Sequence, residues 1–278
     1  MSKKIKLILI GKNSFLSNIL FKRLKKKIKI KKVSLKDFYK IKKLPDYSHI
    51  CNLATHPNYL SKKHSFKFDI DIRILNKIKK LNLKYIFISS RKVYKMKFNI
   101  SEKDKLYPKD IYSSNKITTE KKLKKVLKEK LIILRVSNVL GEKKKNVKRV
   151  HKTFLDNYIN YLKDNKVYYY CNDFKDFITE KMFADIFFVI LKKNFSGTFN
   201  LSLGKKIYVK EILKWLNYKN YQKYKFILNL EKKPKDSFTL NNDKIKKITR
   251  LRILKKDVEV FCKNLGKKIY FKNVNNKI

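Results

Sequence analysis

Short apolar segments that alternate with longer amphipathic segments are the feature that most limits how this chain can fold. The apolar segments are five or six residues long and lie at residues 5–10, 28–33, 49–54, 85–89 and 131–136. Most stretches between them carry apolar residues at helical spacing, for example Ile72, Leu75, Ile78 and Leu81. Short continuous apolar strands separated by such helices predict a parallel sheet that is covered on both faces.

This alternation predicts an α/β protein with a doubly wound parallel sheet of the Rossmann type. The connection over residues 33–49 is short, so one strand-helix unit is predicted to be truncated there. After about residue 140 the pattern changes to candidate helices at 154–162, 183–191 and 209–216 and short strands at 167–170 and 198–201. We therefore predict a first domain over 1–140 and a smaller α+β lobe over 141–278, and leave open whether segments around 172–200 return to the first domain.

The charge of the chain invites a different interpretation. The 278 residues carry a formal net charge of +51, from 73 lysines and arginines against 22 acidic residues, as in many proteins that bind nucleic acid. Lysine is nevertheless spread along nearly the whole chain, alanine occurs twice, and residues with AT-rich codons are abundant. We attribute the charge to drift in a low-GC genome. A surface selected to bind polyanions is the alternative, and salt-sensitive, non-specific contact with nucleic acid is expected from both.

Cysteine and histidine give no sign of a metal or redox site. Cys51, Cys171 and Cys262 lie far apart, and His49, His56, His64 and His151 form no evident ligand set. Cys51 follows an apolar strand and is predicted to lie in the core. A reducing cytoplasm fits this usage, and no apolar run is long enough for a signal peptide or a membrane span.

A tyrosine and a lysine four residues apart, Tyr112 and Lys116, form the first candidate catalytic pair. Residues at this spacing share one face of a helix. An ammonium group beside a phenol favours the phenolate and lowers its pKa from about 10, so a tyrosine can act as a general acid or base near neutral pH. The pattern alone is weak because it occurs three more times. We interpret those other pairs as solvated helix faces: Tyr39/Lys43, Tyr59/Lys63 and Tyr221/Lys225.

Context separates Tyr112 and Lys116 from the other pairs. The apolar strand in YIFISSRKVY, residues 85–94, ends in two serines, and the second is Ser90. In a doubly wound sheet the carboxyl ends of the strands face the ligand crevice, so Ser90 is predicted to lie there. The helix that carries Tyr112 and Lys116 begins about twenty residues later and is expected to bring both side chains to the same crevice.

Seven segments in order resemble the extended short-chain dehydrogenase/reductase family, which comprises nucleotide-sugar epimerases, dehydratases and reductases. They span nearly the whole chain, and each is weak alone, but the order and spacing together are specific. The segments are LILIGKNSFLSNIL (7–20), ICNLATHP (50–57), YIFISSRKVY (85–94), YSSNK (112–116), LIILRVSNVLG (131–141), KDFITEKMFADIF (175–187) and GTFNLSLGKKIYVKEI (197–212). The resemblance implies that residues 1–140 bind a dinucleotide, NAD or NADP, and that the later lobe binds a nucleotide sugar.

The resemblance also implies roles for individual residues. Tyr112 matches the acid/base, Lys116 the residue that lowers the tyrosine pKa and holds the nicotinamide ribose, and Ser90 the hydroxyl that orients the reacting oxygen. Asn138 and Lys175 match positions that contact the substrate. Tyr112 and Lys116 also belong to the implied cofactor site. The other positions that match it are Gly11, Asn13, Ser14, Phe15 and Leu16 under the pyrophosphate and Ala54 beside the adenosine ribose.

The chain departs from the family at the cofactor loop. The family pattern Gly-x-x-Gly-x-x-Gly reads Gly11, Ser14, Ser17 here. Serine at 14 is small and can hydrogen-bond phosphate, whereas serine at 17 places a side chain where the helix packs on the strand. We interpret the loop as functional, with a decayed loop as the alternative.

Two further positions differ from the family. The acidic residue that recognises the adenosine ribose is not evident, because Ser34 follows the second strand between Lys32 and Lys36, and Asp37 comes slightly late; NAD or NADP stays open. At the substrate site, Lys175 replaces the usual arginine, which keeps the charge and loses bidentate geometry.

Two classes of function follow from these observations. The first is an NAD(P)-dependent nucleotide-sugar epimerase or 4-keto-reductase in the cytoplasm, with a homodimer and a role in polysaccharide synthesis expected from the resemblance. A dehydratase is disfavoured, because Arg91 and Lys92 follow Ser90 where a glutamate would be expected. The second is a non-catalytic Rossmann-fold module that binds a polyanion. We expect no specific nucleic acid, membrane or metal partner for the enzyme.

Overall fold

A six-stranded parallel sheet forms the centre of the protein. The computed structural model describes residues 5–142, 153–163, 166–170, 173–219, 225–229 and 237–275. The strands of the central sheet are β1 Lys6–Ile10, β2 Lys29–Val33, β3 His49–Asn52, β4 Lys84–Ser90, β5 Leu131–Val136 and β10 Gly197–Leu201. Their order is β10-β5-β4-β3-β1-β2, and every neighbouring pair is parallel. The predicted doubly wound α/β class is confirmed.

Helices cover both faces of the sheet and fill the connections. They are α1 Phe15–Leu24, α2 Leu35–Tyr39, α3 Asn58–Ser61, α4 Ile70–Ile78, α5 Ile111–Leu127, α6 Phe154–Lys163, α7 Glu180–Lys193, α8 Val209–Leu216, α9 Asp243–Thr249 and α10 Lys255–Asn275. Between β2 and β3 the chain forms α2, which is five residues long, and a single 3-10 turn at Leu44–Asp46. The predicted truncation of this strand-helix unit is therefore confirmed.

Alternate residues of each strand enter different cores. In β1, Leu7 and Leu9 pack into one apolar cluster with residues of α1 and α7, while Ile8 and Ile10 pack into a second cluster with residues of α4 and α5. The side chains of these four residues are fully buried. This alternation explains why an inner strand such as β1 is a continuous apolar run, because a parallel sheet buries both of its faces. The edge strand β2 keeps three lysines and is partly exposed.

The second half of the chain contributes to the central sheet and adds short strand pairs. β10 pairs with β5, so residues beyond 140 complete the sheet, while the domain boundary at residue 140 stays a prediction. The remaining strands pair two by two and are β6 Asn138–Leu140 with β9 Phe177–Thr179, β8 Phe174–Lys175 with β11 Ile207–Tyr208, and β7 Lys166–Tyr170 with β12 Lys225–Asn229.

A buried ion pair ties α5 to the sheet. Arg135 of β5 donates from Nη2 to Glu120 Oε2 at 2.6 Å and from Nε to Oε1 at 3.1 Å, and both side chains are at most 2% exposed. Arg135 Nη1 also donates to the hydroxyl of Tyr94 at 2.8 Å, which donates to Asn200 Oδ1 at 2.9 Å. Because each member has a partner, the network fixes the helix that carries Tyr112 and Lys116.

Asp176 holds the loops of the second half against the end of the sheet. Its carboxylate is fully buried and accepts the backbone N–H groups of Leu203 at 2.9 Å, Gly204 at 3.0 Å and Leu240 at 3.2 Å. These donors belong to two chain segments that follow Asp176 by 27 to 64 positions. One carboxylate therefore joins the segment of Lys175 to the chain beyond β10.

The remaining predictions on cysteine are met in part. Cys51 lies fully buried in β3, as predicted, and Cys262 is buried in α10, both as free thiols. Cys171 and His151 lie outside the described residues. Among the described residues, no helix combines the length and the apolar character that crossing a membrane requires.

Candidate active site

Gly11 forms the turn at the carboxyl end of β1. Its φ of +93° is a conformation that glycine adopts without strain, and its N–H donates to Val33 O at 2.8 Å. A Cβ at Gly11 would lie 2.7 Å from the backbone nitrogen of Ala54. Position 11 therefore needs glycine both for its conformation and for the contact with Ala54, which follows β3.

The helix α1 begins directly after this turn. Ser14 is its N-cap, and its hydroxyl accepts the N–H of Ser17 at 3.2 Å. The first turn carries no acidic residue, so its N–H groups and the helix dipole favour an anion such as a phosphate. The first glycine and the serine at 14 thus keep the geometry of an anion-binding loop.

The other loop positions have different surroundings. Asn13 is exposed, and Leu16 is half-buried. The ring of Phe15 packs directly on Gly141, so closely that a Cβ at Gly141 would lie 2.8 Å from the ring. Ser17 is fully buried, and among the described residues its hydroxyl has no hydrogen-bond partner. Ser17 therefore places a buried side chain on the inner face of α1, where the sequence predicted it.

The end of β2 is the predicted position for contact with the adenosine ribose. Ser34 caps α2, accepts the N–H of Asp37 at 3.1 Å and donates its hydroxyl to the Asp37 carboxylate at 2.6 Å. This hydrogen bond from Ser34 is the largest cause that lowers the pKa of Asp37, and the charge of Lys12 on the cofactor loop acts in the same direction. Lys32 instead donates to Asn18 Oδ1 at 2.7 Å. The carboxylate of Asp37 therefore lies near Lys12 of the cofactor loop.

Ser90 is the last residue of β4 and lies in register with Val136 of β5. Its hydroxyl accepts the N–H of Lys92 at 3.2 Å and caps a single 3-10 turn. The predicted place of Ser90 at the carboxyl end of a central strand is confirmed.

Lys116 is the buried centre of the site. Tyr112 and Lys116 lie on the first two turns of α5, and the Lys116 side chain reaches the carbonyl of Ile88 in β4 at 2.8 Å. Its Nζ lies 4.5 Å from the ring centroid of Phe87 and 5.8 Å from that of Tyr112. Lys116 is 8% exposed, whereas Tyr112 is half-buried. An ammonium group thus lies below the phenol ring at the end of the strand that carries Ser90.

Tyr59 is an unexpected neighbour of this pair. Its ring lies 5.5 Å from Lys116 Nζ and packs edge-on against the Tyr112 ring, with centroids 6.4 Å apart. Tyr59 is 4% exposed, and its hydroxyl lies 2.7 Å from the hydroxyl of Thr119. The prediction that Tyr59 occupies a solvated helix face is wrong, because α3 packs against α5. Tyr39 is 40% exposed, as predicted, and Tyr221 lies outside the described residues.

Lys92 is a second ammonium group near Tyr112. Its Nζ lies 5.8 Å from the Tyr112 ring centroid and 3.1 Å from the carboxylate of Asp110, the N-cap of α5. Both members of this ion pair are 42% exposed. The position after Ser90 and Arg91 therefore places an ammonium group, and not an acid, beside the tyrosine.

The two predicted substrate residues lie around Asp176. Asn138 donates from its side chain to the carbonyl of Asp176 at 3.1 Å, and Lys175 directly precedes this residue in β8. Asn138 begins β6, two residues after Val136, the register partner of Ser90. Asn138 and Lys175 are therefore held together, and the chain path places Asn138 beside the end of β4. Their contact with a substrate stays a prediction.

The residues fit a dinucleotide at the ends of β1, β3 and β4. Gly11 and the start of α1 supply a turn and an anion-binding helix end, and Ala54 packs on that turn. Ala54 and Lys116 line one small cavity, so the loop side and the lysine side of the site are contiguous. Ser90, Tyr112 and Lys116 together can orient an oxygen and move a proton.

Comparison with known proteins identifies the fold. No protein-family model matches the chain, and a search of curated proteins found no match. Among solved structures, the UDP-N-acetylglucosamine 4-epimerase from Methanobrevibacter ruminantium M1, in complex with UDP-N-acetylmuramic acid, is 17% identical, with a TM-score of 0.76 over 98% of this chain and 99% of that chain.

Two further structures carry a nicotinamide cofactor. RMD from Pseudomonas aeruginosa, complexed with NADPH, is 12% identical with a TM-score of 0.76, over 96% of this chain and 99% of that chain. The dTDP-glucose 4,6-dehydratase from Bacillus anthracis, in complex with NAD, is 16% identical with a TM-score of 0.69, over 97% of both chains. The chain has the fold of these three proteins over nearly its whole length.

Proposed function

We propose that the protein binds NAD or NADP and uses it to epimerise or reduce a sugar attached to a nucleotide. The observation that carries this proposal is the placement of Lys116, whose buried ammonium group lies 5.8 Å from the ring centroid of Tyr112. The fold shared with enzymes that bind nucleotide sugars, NAD or NADPH supports the choice of ligands.

The residues of the chain divide the work by position. Gly11, Ser14 and the start of α1 would hold the pyrophosphate, and Ala54 would lie beside the adenosine ribose. The bound nicotinamide supplies hydride acceptance or donation. Tyr112 moves the proton of the sugar hydroxyl or ketone, Ser90 orients the reacting oxygen, and Lys116 stabilises negative charge on the tyrosine oxygen.

The groups around Tyr112 favour epimerisation or ketone reduction over dehydration. Elimination of water needs an acid that protonates the leaving hydroxyl, and the side chain that follows Arg91 beside Tyr112 is Lys92. Asn138 and Lys175 would bind the nucleotide sugar, with Lys175 serving as a point charge for phosphate. The homodimer and the cytoplasmic location stay predictions.

The test measures turnover of UDP-hexoses and UDP-N-acetylhexosamines with NAD, and of a 4-keto nucleotide sugar with NADPH, by product NMR. Tyr112→Phe is expected to lower kcat by about 10²- to 10⁴-fold, because phenylalanine keeps the ring and lacks the acid/base hydroxyl. The matched control is Tyr39→Phe, which alters an exposed tyrosine with the same spacing to a lysine. Full activity of Tyr112→Phe would contradict the role of Tyr112, and no turnover of any substrate would contradict the proposed activity.

A further inference from the structure

A small cavity beside Lys116 contains a second charged group that the proposed mechanism does not use. The cavity has a volume of about 10 Å³, and Ala54, Tyr59, Asp71 and Lys116 are among the residues that line it. This volume holds about one water molecule. Asp71, from the first turn of α4, and Lys116, from α5, therefore face one space with opposite charges.

Asp71 is held rigidly in the interior. It is 6% exposed, and its Oδ1 accepts the hydroxyl of Tyr85 at 2.6 Å. The side chain of Asn52 acts in the same sense as Tyr85 and lowers the pKa of this carboxyl. Tyr85 lies in β4, so a strand of the central sheet holds the carboxylate of the helix α4. A buried carboxylate is costly without a partner of opposite charge.

The groups around Asp71 determine when it carries a charge. Burial is the largest effect and raises its pKa to about 6, the positive charge of Lys116 opposes this shift, and the nearby carboxylate of Asp69 reinforces it. Asp71 is therefore mostly ionised at neutral pH. The titratable groups that face it are Lys116 from α5, Asp69 from α4, Tyr59 from α3, Tyr85 from β4, Cys51 from β3 and, across the cavity, His56.

Lys116 needs such a counter-charge. Its Nζ donates to one backbone carbonyl, that of Ile88, and otherwise lies near aromatic rings. A buried ammonium group loses much of its hydration, and ring faces return part of that energy. A carboxylate across a cavity large enough for one water offsets part of this loss by its opposite charge.

Asp71 also connects the lysine to the cofactor side of the site. Asn52, which lowers the pKa of Asp71, accepts the N–H of Ala54 at 3.0 Å and donates to the Ala54 carbonyl at 3.2 Å. Ala54 packs against Gly11. Lys116, Asp71 and Ala54 therefore line one cavity, and Ala54 packs on the turn of the cofactor loop.

We propose that Asp71 is the buried counter-ion of Lys116 and a positioning residue that fixes its ammonium group relative to Tyr112 and the Ala54 turn. The assignment of a catalytic consequence rests on the proposed function. The contact itself does not, so the two can be tested separately.

The first measurement requires no activity. The Asp71 carboxyl is followed through a pH titration by ¹³C NMR in the wild type and in Lys116→Met. The removal of the positive charge is expected to move the titration midpoint of Asp71 upward by about one pH unit or more. An unchanged midpoint would overturn the proposal. If Lys116→Met does not fold, Lys116→Gln serves in the same titration.

The second measurement compares pH–rate profiles of Asp71→Asn and Asp69→Asn. Asp69 is a matched control, because it is fully buried two residues earlier and caps α4 through Ile72 N at 3.0 Å. Asp71→Asn removes a negative charge that opposes the field of Lys116 at Tyr112, so the acid limb of kcat/KM is expected to move down by about half a pH unit or more. Asp69→Asn should lower stability and leave this limb in place.

The outcomes separate the two proposals. An acid limb that moves equally in both variants, or in neither, would overturn the role of Asp71. A wild type that turns over no nucleotide sugar would contradict the proposed function, and the NMR titration would still decide whether Asp71 and Lys116 interact.

Discussion

Substitution of Gly11 by alanine tests whether the cofactor turn is built as the structure indicates. A side chain at a φ of +93° costs about 1–2 kcal/mol of backbone strain. The added Cβ would also lie 2.7 Å from Ala54 N and 3.0 Å from Leu53 C, which are both backbone atoms and cannot rotate away. Overpacking of this kind adds about 1–3 kcal/mol. The expected loss of unfolding free energy is therefore about 2–5 kcal/mol.

Gly197 provides the control that separates strain from contact. Its φ of +104° gives alanine similar strain, but the nearest atom to an added Cβ is Lys244 Nζ at 4.0 Å, the end of a flexible side chain. Gly197→Ala is thus expected to cost about 1–2 kcal/mol. The contact with the Ala54 turn should appear as the additional loss in Gly11→Ala.

The assay is urea unfolding of both variants, followed by NADH titration of the folded proteins. Gly11→Ala should bind NADH at least about tenfold more weakly than Gly197→Ala, because the clash displaces the turn under the pyrophosphate. Equal stability losses in the two variants would refute the inferred contact. Equal NADH affinities would refute the assignment of this turn to the cofactor.

Three further predictions concern the supports of the site. Asp176→Asn should lower the free energy of unfolding, measured in urea, by about 2–4 kcal/mol, because three backbone N–H groups lose a carboxylate. The control Asp185→Asn, on the exposed face of α7, should lower it by under about 1 kcal/mol. Similar losses in the two variants would contradict the role of Asp176. Ser17→Ala removes a buried hydroxyl without a described partner and should raise stability by about 1 kcal/mol, and a loss of stability would show that the hydroxyl is satisfied. Burial lowers the pKa of His49 to about 4, so as the pH falls the unfolded chain binds this proton before the folded chain does. The free energy of unfolding is therefore unaffected by His49 above about pH 6.5 and decreases by up to about 3 kcal/mol as the pH falls to 4. His49→Phe should lack this acid-dependent loss in denaturation measured from pH 7 to 4, and an unchanged loss would contradict the assignment.

The strands of the sheet and the pair of Tyr112 and Lys116 could be predicted from the sequence because both have strong local signals. A strand buried on both faces must be apolar along its length, and the predicted runs match β1, β3, β4 and β5 closely; β2, at the edge of the sheet, alternates lysine with apolar residues and was predicted in the right place. Tyr112 and Lys116 share a helix face through their spacing, and Ser90 ends a strand whose carboxyl end faces the crevice. These inferences needed no knowledge of long-range packing.

The supporting residues could not be predicted in the same way. Tyr59 has the same spacing to a lysine as three other tyrosines, and only the packing of α3 on α5 brings it to Lys116. Asp71 lies in a segment with alternating charge, where an exposed carboxylate is the ordinary expectation. Its burial follows from the hydroxyl of Tyr85, which lies fourteen residues later on another element.

The cofactor loop lies between these two cases. The retention of Gly11 was evident, and the structure adds the reason, which is the approach of Ala54 from the end of β3, the neighbour of β1 in the sheet. The packing of Phe15 on Gly141 had no local signal, because the two residues are far apart in sequence. Sequence patterns thus fail to predict contacts between residues that only the folding of the whole domain brings together.

Cofactor binding is the most direct test of the proposed function. The purified protein is denatured to release any carried-over nucleotide, and the native protein is titrated with NADH and with NADPH at about 150 mM salt, where weak contacts with polyanions are largely screened. Nicotinamide fluorescence reports the binding. We predict saturable binding of one or both cofactors in the micromolar range, or cofactor already bound in the purified protein. A folded protein that neither retains nor binds either cofactor would contradict the proposal and favour a non-catalytic binding module.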